Sequence, residues 1–154
     1  MSLEIAYVED TGAPEVDLDY LQETERRVGH EFDPEYVEFI RIQNGGVPIK
    51  KYFKAGKHKK AIDKFLCMVS DYETSEHGDA DVGIVWSQYV DAIGEHLVPF
   101  ASVVGGDFVC FDYEDRLDVP AVVFWNKRDS VPGRPELVPL ASNFRKFLGT
   151  LSKL

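Results

Sequence analysis

The residues best placed to do chemistry are Gly105-Gly106-Asp107, which interrupt an apolar run from Ser102 to Phe111. A Gly-rich phosphate loop works by delivering backbone N–H groups and a helix N-terminus to an anion. Here the residues that follow, Phe108 to Phe111, have strand character. Two apolar strands joined through Gly-Gly form a hairpin turn, because glycine adopts φ > 0 without steric cost. Asp107 is then a turn carboxylate that bonds nearby backbone N–H groups.

Gly-Gly-Asp on a hairpin also resembles the signature of diguanylate cyclases, where acids at the turn serve metal and nucleotide. That signature continues with Glu-Phe, whereas this chain continues with Phe108-Val109 and shows no paired metal carboxylate on a preceding strand. The four histidines, His30, His58, His77 and His96, lack the His-x-x-x-His or Glu-x-x-His spacing that sets two ligands on one helix face. Cys67 and Cys110 stand alone in apolar runs and read as buried thiols, not nucleophiles. No Gly-x-Ser-x-Gly elbow is present. The expectation is a non-enzyme with no catalytic residues, no metal and no cofactor.

Charge is distributed in blocks. Residues 1–40 hold 12 acids and 2 bases, residues 41–65 hold 1 acid and 8 bases, residues 66–121 hold 12 acids and 1 base, and residues 122–154 hold 2 acids and 6 bases. The total of −10 disfavours nucleic acid, since two long acidic blocks repel phosphate backbones. It favours a basic partner. The 154 residues, 44% of them hydrophobic, suit a single domain over 1–154 with one core. No apolar run is long enough to span a membrane, and the N-terminus lacks the blocks of a signal peptide, so a cytoplasmic location is expected.

The elements that must position these residues follow from periodicity and caps. Asp17 caps a first helix whose apolar face is Leu18, Leu21 and Val28, and Gly29 ends it. Phe32-Asp33-Pro34 opens a second, carried by Tyr36, Val37, Phe39 and Ile40 and ended by Asn44-Gly45-Gly46. Ile49–Phe53 and Ile62–Val69 read as the strands of a hairpin, with Lys54–Lys60 as a mobile hairpin loop between them. Asp71–Asp81 reads as an acidic loop. Val82, Val85, Trp86, Tyr89, Val90 and Ile93 recur at helical spacing up to Gly94. Strands are expected at Leu97–Val104, Phe108–Tyr113, Ala121–Trp125 and Glu136–Leu140, and Ser142 caps a last helix through Phe144, Phe147, Leu148 and Leu151. Short connections force antiparallel pairing, so the class is α+β: an antiparallel sheet with helices packed on one face.

Several segments together are similar to one superfamily. Phe32-Asp33-Pro34-Glu35-Tyr36-Val37-Glu38-Phe39 through Asn44-Gly45-Gly46 resembles the opening of SUKH proteins. Val98-Pro99-Phe100-Ala101, Gly106-Asp107-Phe108-Val109-Cys110-Phe111-Asp112, Val122-Val123-Phe124-Trp125-Asn126 and Ala141-Ser142-Asn143-Phe144-Arg145-Lys146-Phe147-Leu148 resemble later segments of the same superfamily, in order. Asn126-Lys127 replaces the usual His-Glu after the tryptophan strand. The resemblance implies an α+β fold with no catalytic residues. It also implies a binding role: in bacteria, immunity proteins that neutralise toxins, often nucleases; in fungi, regulators of cell-wall assembly.

The function expected is a non-catalytic immunity protein of a bacterial polymorphic toxin system, whose partner is a basic toxin domain. The candidate contacts are Asp71, Glu73, Glu76, Asp79, Asp112, Glu114, Asp115 and Asp118, acids in expected loops. The alternative is a housekeeping or regulatory scaffold protein that binds an endogenous partner through the basic and aromatic surface near Lys50–Lys64.

Overall fold

The computed structural model describes residues 3–114 and 119–153, with the backbone alone at Asp129. Six strands form one antiparallel sheet in chain order: β1 (Tyr52–Ala55), β2 (His58–Phe65), β3 (Leu97–Val103), β4 (Phe108–Asp112), β5 (Ala121–Val131) and β6 (Arg134–Ala141). The helices are α1 (Leu18–Val28), α2 (Pro34–Ile42), α3 (Val82–Ile93) and α4 (Phe144–Gly149). The antiparallel α+β expectation holds.

Local chemistry explains the helix ends. The Asp17 carboxylate accepts from Asp19 N–H, and Gly29 closes α1 at φ 83°, a conformation that costs glycine little. Asp33 accepts from Glu35 N–H, and Pro34 opens α2 where its missing N–H goes unneeded. Leu18 departs from the expected face: it is 42% exposed, and α1 instead buries Tyr20, Leu21, Thr24 and Val28. For α4 the cap is Asn143, whose side chain accepts from Lys146 N–H, not Ser142.

The main core is aromatic. Tyr36 and Phe39 of α2 and Phe144 and Phe147 of α4 pack on Phe65, Phe100, Phe111, Phe124 and Phe53 of the sheet. The opposite face of the sheet is also covered. Leu97, Cys110, Val123 and Trp125 form a second cluster under Ile93, Tyr89 and Ala92 of α3. Alternation along β4 and β5 assigns Val109, Phe111, Val122 and Phe124 to the first core and Cys110, Val123 and Trp125 to the second.

The expected hairpin is present, but its loop is shorter than the Lys54–Lys60 segment. Only Gly56 and Lys57 form the turn, with Gly56 at φ 61°, and Lys54, Lys59 and Lys60 lie on paired strands from Tyr52↔Ala61 to Ala55↔His58. Alternation with Phe53, Ala55 and Ile62, all buried, anchors this basic hairpin to the core.

Gly105 and Gly106 take φ 104° and 99° in the β3–β4 turn, as the hairpin reading requires. The Gly106 N–H donates to Val103 O at 3.0 Å, so the central pair is Val104-Gly105, one residue earlier than expected. Asp107 is also corrected. Its carboxylate is buried and accepts the Lys127 N–H at 2.8 Å, which ties the turn to β5 and not to its own neighbours.

Candidate functional site: an acidic groove

A groove of about 640 Å³ opens where three segments meet above the end of β2. The first is the N-terminal stretch, strapped down by Val8 N–H to Val47 O at 2.8 Å and Ala13 N–H to Asn44 O at 3.0 Å. Thr11 adds a hydroxyl that accepts from Val47 N–H and donates to Val8 O. The second is the turn after α2. Buried Asn44 donates to Pro14 O and Met68 O at 2.8 and 2.9 Å and accepts from Met68 N–H at 2.8 Å, so one amide holds three segments together. Gly45 is required by closeness as well as by φ 78°, since a Cβ there would lie 2.9 Å from Phe65 O.

The third segment is the acidic stretch from Asp71 to Asp81. It is a chain of hydrogen-bonded turns ending in a 3₁₀ turn at Gly78–Ala80. Gly78 packs directly on the Tyr72 carbonyl, where no side chain could fit. Cys67 clamps its end, with Cys67 N–H to Ala80 O at 2.9 Å and Val82 N–H to Cys67 O at 2.8 Å.

Asp81, which sequence reasoning left as the last loop residue, is the hub of this region. It is fully buried, caps α3 by accepting from Ile84 N–H at 3.1 Å, and accepts from Val69 N–H at 2.8 Å. The Tyr20 hydroxyl donates to both carboxylate oxygens at 3.1 Å. Burial holds this carboxyl above the usual range, while the Val69 and Ile84 N–H groups and the Tyr20 hydroxyl pull it down. Its position one residue before an apolar helical run was the available signal.

Of the candidate contacts, Glu76 and Asp79 line the groove beside Asp10, and all three are exposed. Asp71 and Glu73 are exposed on the same stretch of turns. Asp112 and Glu114 stand elsewhere. They lie near His96, beyond the C-terminal end of α3, whereas the Asp71–Asp79 stretch leads into its N-terminal end. A 12-residue helix separates the two groups by roughly 18 Å. Asp115 and Asp118 lie outside the described residues.

The His96 imidazole and the Asp112 and Glu114 carboxylates bring donor atoms within 4.8 Å of one another, a grouping that sequence spacing did not reveal. It arises because Tyr113 N–H donates to His96 O, extending the β3–β4 ladder by a residue. His30 stacks on the buried Tyr113 ring at 4.2 Å.

The far wall of the groove is aromatic. Tyr89 and Phe108 line it half-buried and pack on Trp125 at 5.2 and 5.7 Å, and the Lys127 ammonium lies 2.9 Å from the Tyr89 hydroxyl. Tyr89 of α3 thus both packs on the sheet and lines the groove, whereas Trp86 packs against the main core. Partly exposed aromatics beside charged groups are the usual anchors of protein interfaces. The cysteines supply no nucleophile here: burial pushes the Cys67 thiol up to about 12 and raises that of Cys110 further.

Among the described residues no helix is long and apolar enough to cross a membrane. No curated protein matches the chain significantly. The sequence profile of the SMI1 / KNR4 family (SUKH-1), whose superfamily includes toxin-immunity proteins and regulators and consists in general of non-catalytic binding modules, matches residues 15–150. The chain therefore belongs to the SMI1 / KNR4 family (SUKH-1).

Proposed function

We propose that the chain is a cytoplasmic immunity protein that binds and neutralises a basic toxin domain, and that the acidic groove is where it does so. The observation that carries this reading is the pairing of a rim in which three acids, Asp10, Glu76 and Asp79, outnumber one lysine, Lys64, with an aromatic wall, Tyr89 and Phe108. A basic side chain of the partner enters between them. The rim acids pair with it, and Phe108 covers its aliphatic stem, the Tyr89 ring being already engaged by the Lys127 ammonium at 4.7 Å. Asp71 and Glu73 extend the same field, which speeds encounter with a cationic surface. Asp112 and Glu114 form a second, separate acidic point of contact. Asp115 and Asp118 extend the candidate set by sequence alone. Neutralisation needs no chemistry from this chain, only occlusion of the toxin.

Co-expression with the toxin domain encoded beside the gene tests this. Cells carrying both are expected to grow. Death at the rate of cells lacking this protein excludes that toxin as the target.

A regulatory protein serving an endogenous partner is the second reading. The basic hairpin β1–β2 favours it, because toxin inhibition through the acidic groove gives that surface no task.

A further inference from the structure

The two edges of the sheet, β1 and β6, curl toward each other, and a pocket of about 350 Å³ opens at this seam. Its apolar lining is Phe53, Leu140 and Phe147, and exposed Lys54 and Lys59 line its rim. These lysines are directly opposite in the β1–β2 register, so their side chains share a face and repel. Among the described residues neither has an acidic partner. The surrounding stretch, residues 50–64, carries seven lysines against Asp63 alone.

The edge of β1 is open at the same place. Tyr52 exchanges two hydrogen bonds of 3.0 Å with Ser152, which covers the first outward-facing backbone groups of the strand. By the alternation of an antiparallel ladder, the next outward N–H and C=O belong to Lys54. Among the described residues no backbone group outside β2 pairs with them. An unpaired strand edge beside an apolar pocket is a site for strand addition.

We propose that this seam docks an extended acidic peptide segment of a partner protein. Its backbone pairs with Lys54, one apolar side chain enters the pocket on the Phe53 face, and carboxylates at the two adjacent positions point to the opposite face, where they meet Lys54 and Lys59. Charge complementarity selects the occupant. A nucleic acid fits less well, because the Tyr52 ring on which a base would stack is already engaged by the Lys59 and Lys51 ammonium groups at 4.7 and 5.8 Å. This surface is separate from the acidic groove, and the inference holds under either reading of the function.

The test uses the full chain and a capped peptide built on Ser-Glu-Leu-Glu-Ser, with its Glu-to-Lys counterpart as control. The acidic peptide is expected to bind, to shift the Lys54 amide and Leu140 methyl resonances, and to lose about tenfold in affinity in the Lys54→Glu/Lys59→Glu variant. Leu140→Trp fills the pocket without changing charge and is expected to weaken binding comparably in a protein whose melting is unaltered. Absence of binding, binding indifferent to both variants, or shifts confined to another face would overturn the proposal. So would preferential binding of a single-stranded oligonucleotide or an anionic vesicle at these lysines. Self-association of the chain that Lys54→Glu/Lys59→Glu abolishes would assign the seam to a second copy and overturn it equally.

Discussion

Replacing Asp81 by alanine removes the acceptor of three hydrogen-bond donors at once. The cap on Ile84 N–H is worth about 1 kcal/mol. Loss of the acceptor for the buried Val69 N–H costs about 1–3 kcal/mol, and the Tyr20 hydroxyl loses its partner for about 1 kcal/mol more. The sum, about 3–5 kcal/mol, is a large part of the stability of a domain this size and corresponds to a fall in Tm of roughly 10 °C. Urea unfolding followed by circular dichroism reads the loss as a shift of the midpoint at constant slope. Asp81→Ser keeps the helix cap and is expected to recover about 1 kcal/mol of it. The pH dependence has a definite sign. Burial raises this carboxyl, so the folded chain holds the proton more tightly than the unfolded one. The stability contributed is full below the unfolded value of about 3.9 and declines as pH rises through the folded value. The gap between wild type and Asp81→Ala therefore narrows from about pH 4 toward neutrality. A total loss below about 1 kcal/mol, or a gap that widens with pH, would refute the hub role assigned to Asp81.

Other outcomes follow from single groups. The Tyr36 hydroxyl is fully buried with no hydrogen-bond partner among the described residues, so Tyr36→Phe is expected to leave stability unchanged or raise it by about 1 kcal/mol in thermal melts. Gly106→Val meets no steric obstacle yet must adopt φ near 99°, and should cost more than about 1 kcal/mol through backbone strain alone. Asp107→Asn keeps an acceptor for Lys127 N–H and should leave partner binding nearly intact; a folded Asp107→Asn protein without function would instead mark a nucleotide or metal site. Neither Cys67 nor Cys110 should react with iodoacetamide at about pH 8 until denaturant is added, because burial holds both as thiols.

The sequence made the helices legible because their caps are local chemistry: Asp17, Asp33 and the glycines at 29 and 94 act within a few residues of themselves. What it concealed depends on distance. The partner of Asp107 lies 20 residues away on β5, and Asp81 collects Tyr20 from 61 residues away. Lysine-rich composition imitates a solvated loop, yet on β1 and β2 every other side chain can point to water while Phe53 and Ile62 reach the core. The second core under α3 was foreshadowed by the unbroken apolar run Phe108-Val109-Cys110-Phe111, which suits a strand buried on both faces. The acidic groove was half legible: composition marked Glu76 and Asp79, but only the fold brings Asp10, Tyr89 and Phe108 beside them and sets Asp112 and Glu114 apart.

The most direct measurement is the association of the purified chain with the basic toxin domain encoded beside its gene, followed at low and high salt for wild type and for Glu76→Lys/Asp79→Lys. A stoichiometric complex is predicted, whose association rate falls steeply with salt and by about tenfold or more on charge reversal, with toxin inhibition lost in parallel. No complex, or a complex that forms and inhibits equally well after both acids are reversed, would contradict the acidic groove as the site of neutralisation.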